Sequence, residues 1–176
     1  MKKQLIGFHG PAGSGKDTSG AYLIEQHGFK RLSFAAPIYD GLEAMGFGRP
    51  TTQAEKEAVI PWLGKSWRFL GQTIGTEWGR NMVDSELWTK LAMSKVAADP
   101  DSRFVITDVR FENEAKMIRE TGGLVVHLRG RKHEGTLQHA SEQPLAFFPG
   151  DVTVWNDAQG IDALHDKLGA VLGEYL

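Results

Sequence analysis

The residues best suited to chemistry lie near the start of the sequence, where Gly10-Pro11-Ala12-Gly13-Ser14-Gly15-Lys16 spaces two glycines five apart and sets a lysine directly after the second. Gly10, Gly13 and Gly15 permit a backbone that turns several amides towards one anion. A helix starting at the lysine adds its partial positive charge, and Lys16 is long enough to reach the β and γ phosphates of a nucleotide. A glycine-rich turn that merely opens a helix would look similar, but the apolar run Gln4–His9 before it and the breaker-poor stretch after it supply the strand–loop–helix setting that phosphate binding requires. One position departs from the general motif. The hydroxyl expected straight after the lysine is Asp17, with Thr18 next, and a carboxylate beside phosphates is repelled unless a cation compensates it.

Further groups of the same kind recur along the chain. Val105-Ile106-Thr107-Asp108 is an apolar strand ending in a carboxylate, a layout that holds magnesium or orients an attacking oxygen, and Arg110 two residues on can reach an anion at the same strand end. Glu112, Asn113 and Glu114 open the next helix, where acids favour the dipole and capping accounts for one of them. Arg129-Gly130-Arg131-Lys132-His133 puts three firm positive charges just beyond another strand, and His139, Ser141 and Glu142 follow. This segment reads either as a solvated basic loop or as a lid over transferring phosphates. A nucleophilic triad from His139, Ser141 and Glu142 has no oxyanion-loop motif to accompany it.

Between these groups, Trp67, Leu70, Ile74 and Trp78 fall within about 60° of one another on an α-helix, with Gln72, Thr76 and Arg80 on the opposite face. Gly71, Gly75 and Gly79 recur every fourth residue between the two faces. Interior helix glycines cost roughly 1 kcal/mol each against alanine, so something should approach that stripe closely. Another helix and a bound ligand are both open readings, the second with Gln72 and Arg80 as base and phosphate contacts.

The elements that must position these groups follow from composition and periodicity. At 176 residues the chain suits one domain, and 41% hydrophobic with 24% charged residues is ordinary globular usage that disfavours disorder. The absence of cysteine removes disulfides, thiolate metal sites and thiol nucleophiles. A net charge of -2 gives no case for coating a nucleic-acid polymer, and the short apolar runs hold neither a signal peptide nor a spanning helix, so a cytoplasmic protein without membrane partners is expected. Strands are expected at Gln4–His9, Leu32–Phe34, Phe104–Thr107, Leu124–Leu128 and Val152–Trp155. Helices are expected from Lys16 to Gln26 with Gly28 as cap, from Pro37 with Ile38, Leu42 and Met45 on one face, from Glu112 to Thr121, and from Ile161 to the C-terminus. Between Gly46 and Pro100 no strand is expected. There Thr52 and Glu55 form a capping box, and helices cover about Trp67–Met82 and Ser85–Ala98. Alternating strands and helices imply an α/β fold with a parallel sheet, ligands lying beyond the carboxyl ends of its strands.

Taken together, Gly-Lys-Asp-Thr at 15–18, Leu70-Gly71-Gln72 with Gly75-Thr76-Glu77-Trp78-Gly79-Arg80, Asp108-Val109-Arg110-Phe111 with Asn113-Glu114, Gly122-Gly123, and His139 to Glu142 resemble the bacteriophage-type deoxynucleoside monophosphate kinases. These belong to the P-loop kinase superfamily that includes adenylate kinase. The resemblance spans nearly the whole chain, and Asp17 is expected in that family. It implies a P-loop kinase fold in a single domain over 1–176, with a helical acceptor-binding insertion at about 46–100 and a small lid at about 129–145. It further implies transfer of the γ-phosphoryl group from ATP, with Mg2+, to a deoxynucleoside 5′-monophosphate, and it suggests a homodimer.

The site residues follow from the same resemblance. Lys16, Arg110, Arg129 and Arg131 would act on the transferring group, while Gly10, Gly13, Ser14, Gly15, Lys16, Asp17, Thr18, Arg129 and Asn156 would hold ATP. Ser33, Tyr39, Gln72, Thr76, Arg80, Trp88, Asp108, Arg110 and Glu142 would bind the acceptor, and Thr18 with Asp108 would support magnesium. Asp17 is expected to pair with Arg129 or Arg131. The competing readings are another small-molecule kinase of the dephospho-coenzyme A kinase kind, and a nucleotide-gated binding protein that transfers nothing. Asp108 followed by Val-Arg-Phe fits the first poorly, and the clustered arginines argue for a second anionic ligand against the other.

Overall fold

The computed structural model describes residues 4–130, 144–157 and 160–176. The chain forms two compact units, one from Met1–Ser33 with Met93–Leu176 and the other from Phe34–Ala92.

The first unit is built on a five-stranded, all-parallel sheet of β1 (Leu5–His9), β2 (Lys30–Leu32), β5 (Phe104–Ile106), β6 (Leu124–Arg129) and β7 (Val152–Trp155), in the order β2-β5-β1-β6-β7. β1 is apolar from Leu5 to Phe8 because both its faces are covered, as expected of a central parallel strand. Ile6 and Phe8 join a core with Leu23 of α1 (Lys16–His27) and Leu164, Leu168 and Leu172 of α7 (Ile161–Leu172). Gly7 faces the other way, where a β-carbon would come within 2.4 Å of Ile118 on α6 (Glu112–Glu120). Gly28 caps α1 as expected, its amide bonding back to Ile24 and Leu23. β2 lies earlier than the alternation of Leu32-Ser33-Phe34 implied: its pairing to β5 runs from Lys30 to Leu32, and Ser33 is the first residue beyond the strand.

The second unit contains α2 (Ala36–Ala44), α3 (Gln53–Glu57), a two-stranded antiparallel hairpin of β3 (Val59–Ile60) and β4 (Lys65–Ser66), α4 (Trp67–Gln72), a π-helix (Thr73–Val83) and the start of α5 (Leu87–Ala98), which carries the chain back to the first unit. The capping box stands: Thr52 accepts the Glu55 amide, and Glu55 accepts the amides of Thr51 and Thr52.

Four expectations are corrected here. Ile38 and Leu42 are buried but Met45, past the end of α2, is 69% exposed. The hairpin occupies a stretch read as strandless, two residues per strand being too few to show alternation. α5 begins at Leu87 rather than Ser85. The helix read over Trp67–Met82 is α-helical only to Gln72 and then widens, the Asp84 amide closing on Gly79 O in the i→i+5 manner.

Trp78, expected on the inner face, is 48% exposed, while Gly71 lies against the ring of the buried Trp67. Trp88 from α5 packs on Gly79, and its indole N–H donates to Gly75 O at 2.7 Å. A β-carbon on Gly79 would come within 2.5 Å of the Trp88 ring, and one on Gly75 within 3.0 Å of Ile38. Within this unit, side-chain packing occupies the glycine stripe. Among the described residues, no helix is long and apolar enough to cross a membrane.

Candidate phosphate-binding site

The loop between β1 and α1 folds as its glycines require. Gly15 has φ of 101°, in the left-handed region, and a β-carbon there would come within 2.8 Å of the Asn156 amide nitrogen. That amide, buried after β7, donates to Ser14 O at 2.9 Å, while the Asn156 backbone N–H donates to Arg129 O at 2.7 Å. Asn156, expected among the ATP contacts, thus braces the loop from below. The Ser14 hydroxyl is 1% exposed and has no hydrogen-bond partner among the described residues, an orphan that a phosphate oxygen would satisfy.

Lys16 lies across the loop, its Nζ donating to Gly10 O at 2.6 Å and Pro11 O at 2.7 Å. Burial, together with the nearby Arg110 and against the opposing pull of Asp17 and Asp108, brings its pKa down to about 8. A cation confined with another cation in this way favours an arriving polyanion.

Asp17 is placed otherwise than expected. Its carboxylate accepts from the Thr107 hydroxyl at 2.9 Å and lies 3.6 Å from an Arg31 guanidinium nitrogen, so β2 supplies the compensating cation and the expected partner Arg129 does not. Arg131, the other expected partner, lies outside the described residues, as do Glu142 and most of the segment read as a lid. The sequence reading missed Arg31, whose signal was a cationic residue on a short strand adjacent to β5.

Asp108 follows β5 as predicted and accepts from the Ser33 hydroxyl at 2.8 Å, so two expected acceptor-side residues meet at one strand end. Arg110 begins the turn into α6, and its backbone amide and that of Phe111 both donate to Glu114, at 2.7 and 3.0 Å. Glu114 is the buried acid that caps α6. Glu112 instead pairs with Arg119 at 2.9 Å. Thr18 sits half-buried on the first turn of α1, and Arg129 ends β6 with its side chain exposed.

A buried polar cluster beside the loop had no counterpart in the sequence reading. His127 of β6 contacts Asp151 at 3.1 Å, and Asp151 also accepts the Phe148 amide and two bonds from Arg119 at 2.8 and 2.9 Å. Burial raises the Asp151 pKa, but the Arg119 guanidinium, the Phe148 amide and His127 outweigh it and hold the carboxyl below its usual range. His9, at the end of β1, packs edge-on against His127 with ring centroids 5.5 Å apart. The available signals were a histidine interrupting each of two apolar strands, but the partners are too distant in sequence to show spacing.

In the second unit, Gln72 closes α4 while Thr76 and Arg80 lie on the π-helix, all three partly buried. Tyr39 packs against Trp67 with ring centroids 4.4 Å apart, and Arg49 and Lys56 lie over its ring. Trp88, expected to bind the acceptor, is 5% exposed, with its ring against Gly79 and its N–H on Gly75 O.

A family model described as deoxynucleotide monophosphate kinase matches residues 54–168. A protein of Acanthamoeba polyphaga mimivirus, provisionally named a deoxynucleotide monophosphate kinase, is 34% identical over 143 residues, covering 70% of this chain and 72% of that one. The deoxynucleoside-5′-monophosphate kinase of Escherichia phage T5 is 27% identical over 183 residues, covering 68% and 73% respectively. The deoxynucleotide monophosphate kinase of Escherichia phage RB69 is 32% identical over 126 residues, covering 68% of this chain and 50% of the phage protein.

Proposed function

The chain belongs to the deoxynucleotide monophosphate kinase family, and on that premise we propose that it transfers the γ-phosphoryl group of ATP, with Mg2+, to a deoxynucleoside 5′-monophosphate, yielding ADP and a deoxynucleoside diphosphate. The observation that carries the reading is the 10–16 loop, in which an orphaned Ser14 hydroxyl and a lysine with a lowered pKa converge on one concave backbone. These residues fit a polyphosphate, and Asp108 with Thr18 supplies the oxygen donors that magnesium takes alongside phosphates. Magnesium, when bound, neutralises charge on the phosphates.

The protein's own residues do the rest by positioning and charge. Lys16 exchanges its bonds to Gly10 O and Pro11 O for phosphate oxygens, and the loop amides and Ser14 hydroxyl complete the cradle. Arg110, beside Lys16, adds positive charge where the phosphates meet, and Arg129 and Arg131 add more in the lid role that the sequence implies. Ser33 orients Asp108, and Asn156 braces the loop. Gln72, Thr76, Arg80, Tyr39, Trp88 and Glu142 are the further acceptor contacts. A phosphate acceptor is already ionised near neutral pH, so no general base is required. We place the activity in the cytoplasm, where its substrates are made.

The test is to incubate the protein with magnesium ATP and each deoxynucleoside monophosphate in turn and to measure ADP. Acceptor-dependent ADP, lost in Lys16→Ala, is the expected result; ADP formation that no acceptor increases would refute the kinase reading.

A further inference from the structure

We propose that His9 is a positioning residue that ties the Asp108–Arg110 segment and the chain at Leu145 to the start of the phosphate loop. His9 immediately precedes Gly10, and its ring uses its two nitrogens in opposite senses. Nδ1 lies 3.1 Å from Val109 O, and Nε2 accepts the Leu145 N–H at 3.3 Å. A carbonyl only accepts and an amide N–H only donates, so the partners themselves select the neutral imidazole with its proton on Nδ1.

The surroundings enforce the same form. Burial, helped by the charges of His127, Lys16 and Arg129 and opposed by the bond to Val109 O, brings the His9 pKa down to about 4. On its flank His127 is itself held by Asp151, which Arg119 grips through two nitrogens. The ring is therefore supported from the side and bonded at both ends.

Both bonds end near groups with assigned work. Val109 lies between Asp108 and Arg110 and is buried, so fixing its carbonyl fixes the backbone from which both side chains project. Leu145 is likewise buried, on the stretch where the described chain resumes after residue 143. Three segments remote in sequence thus take their spacing from one imidazole. The kinetic half of this inference rests on the kinase reading above; the structural half does not.

The experiment compares His9→Phe, His9→Asn and His9→Gln in the full chain, by amide hydrogen exchange and by steady-state kinetics with magnesium ATP and the accepted monophosphate. Phenylalanine keeps the ring and removes both bonds, asparagine places an N–H near Nδ1, and glutamine places an acceptor near Nε2. Each bond is worth about tenfold at most in a local equilibrium. In His9→Phe, exchange at Leu145 should rise by up to about tenfold while the sheet amides stay protected, and kcat should fall more than the KM for ATP changes. His9→Gln should restore protection at Leu145, and His9→Asn should restore kcat in preference.

Unchanged exchange at Leu145 in His9→Phe, or faster exchange across the whole sheet with kcat intact, would overturn the proposal by making the ring mere packing. If His9→Phe does not fold, the opposite recoveries in the other two variants decide, and equal behaviour overturns it. A wild-type protein that phosphorylates no monophosphate would sink the kinase reading while leaving the exchange result to judge His9.

Discussion

Alanine substitution along the glycine stripe should give three different stabilities. At Gly79 a β-carbon would lie 2.5 Å from Cζ2 and 2.9 Å from Cε2 of Trp88, and 2.9 Å from Ile74 O. Neither neighbour yields cheaply, because the indole is buried and hydrogen-bonded to Gly75 O and the other atom is backbone. Overpacking of this kind costs about 1–3 kcal/mol, displacement of the indole forfeits about 1 kcal/mol of hydrogen bond, and the gain in helix propensity returns about 1 kcal/mol. Gly79→Ala should therefore be destabilised by about 1–3 kcal/mol, several degrees in Tm for a chain of this length. At Gly75 the neighbour is the flexible end of Ile38 at 3.0 Å, and the two effects should nearly cancel. At Gly71 the Trp67 ring stands 3.5 Å away, an ordinary contact, so Gly71→Ala should be neutral or more stable by up to about 1 kcal/mol. Urea unfolding with matched m-values measures all three. Equal stabilities across the series, or Gly79→Ala as stable as wild type, would show that Trp88 does not fill the stripe and would reopen the ligand reading.

The remaining expectations concern charge. Because the Lys16 pKa is about 8 and a phosphate binds its protonated form, ATP affinity measured by calorimetry should weaken as pH rises through 8; a flat profile from pH 7 to 9 contradicts the buried-lysine account. His9 binds a proton more readily unfolded than folded, so stability should fall as pH drops from about 6.5 to about 4, and His9→Asn should flatten that window in acid-dependent urea titrations. The depressed Asp151 carboxyl should add a further loss at lower pH, as it protonates. Asp151→Asn leaves Arg119 and His127 facing a neutral amide and should cost about 3–5 kcal/mol by urea unfolding, whereas a loss under 1 kcal/mol would mark the cluster as incidental. Asp17 is 83% exposed in its side chain, so a double-mutant cycle of Asp17→Asn with Arg31→Ala should give a coupling below about 1 kcal/mol that shrinks with salt.

The parts of the fold that were legible are those governed by short-range rules. A mostly apolar strand, a glycine loop and a capped helix read directly from Gln4 to Gly28, and a five-stranded parallel sheet followed from the alternation of strands and helices. Asp108 at a strand end was legible for the same reason. What escaped depends on distant partners. The 3.6-residue period assumes α-helical bonding, so it put Trp78 inside and could not anticipate the wider turn or the indole from α5 that bonds Gly75 O. Asp17 was assigned to an arginine of the expected lid because it stands beside phosphates, but Arg31 and Thr107 reach it through the β2-β5 pairing. His9, His127, Asp151 and Arg119 each look unremarkable alone; the β1-β6-β7 register brings the first three together, and α6 supplies Arg119.

The central place of β1 bears on how the chain is made. β1 is the first of the five strands to leave the ribosome, yet Leu5 pairs with Phe104 and Ile6 with Leu124 as well as Val105. At about 5–20 residues per second its partners arrive on the order of 10 s later. During that interval the whole Phe34–Ala92 unit is synthesised, while Leu5, Ile6 and Phe8 have no strand to lie against. The strand that delivers the phosphate loop is thus the one longest open to capture by a chaperone or by a neighbouring nascent chain.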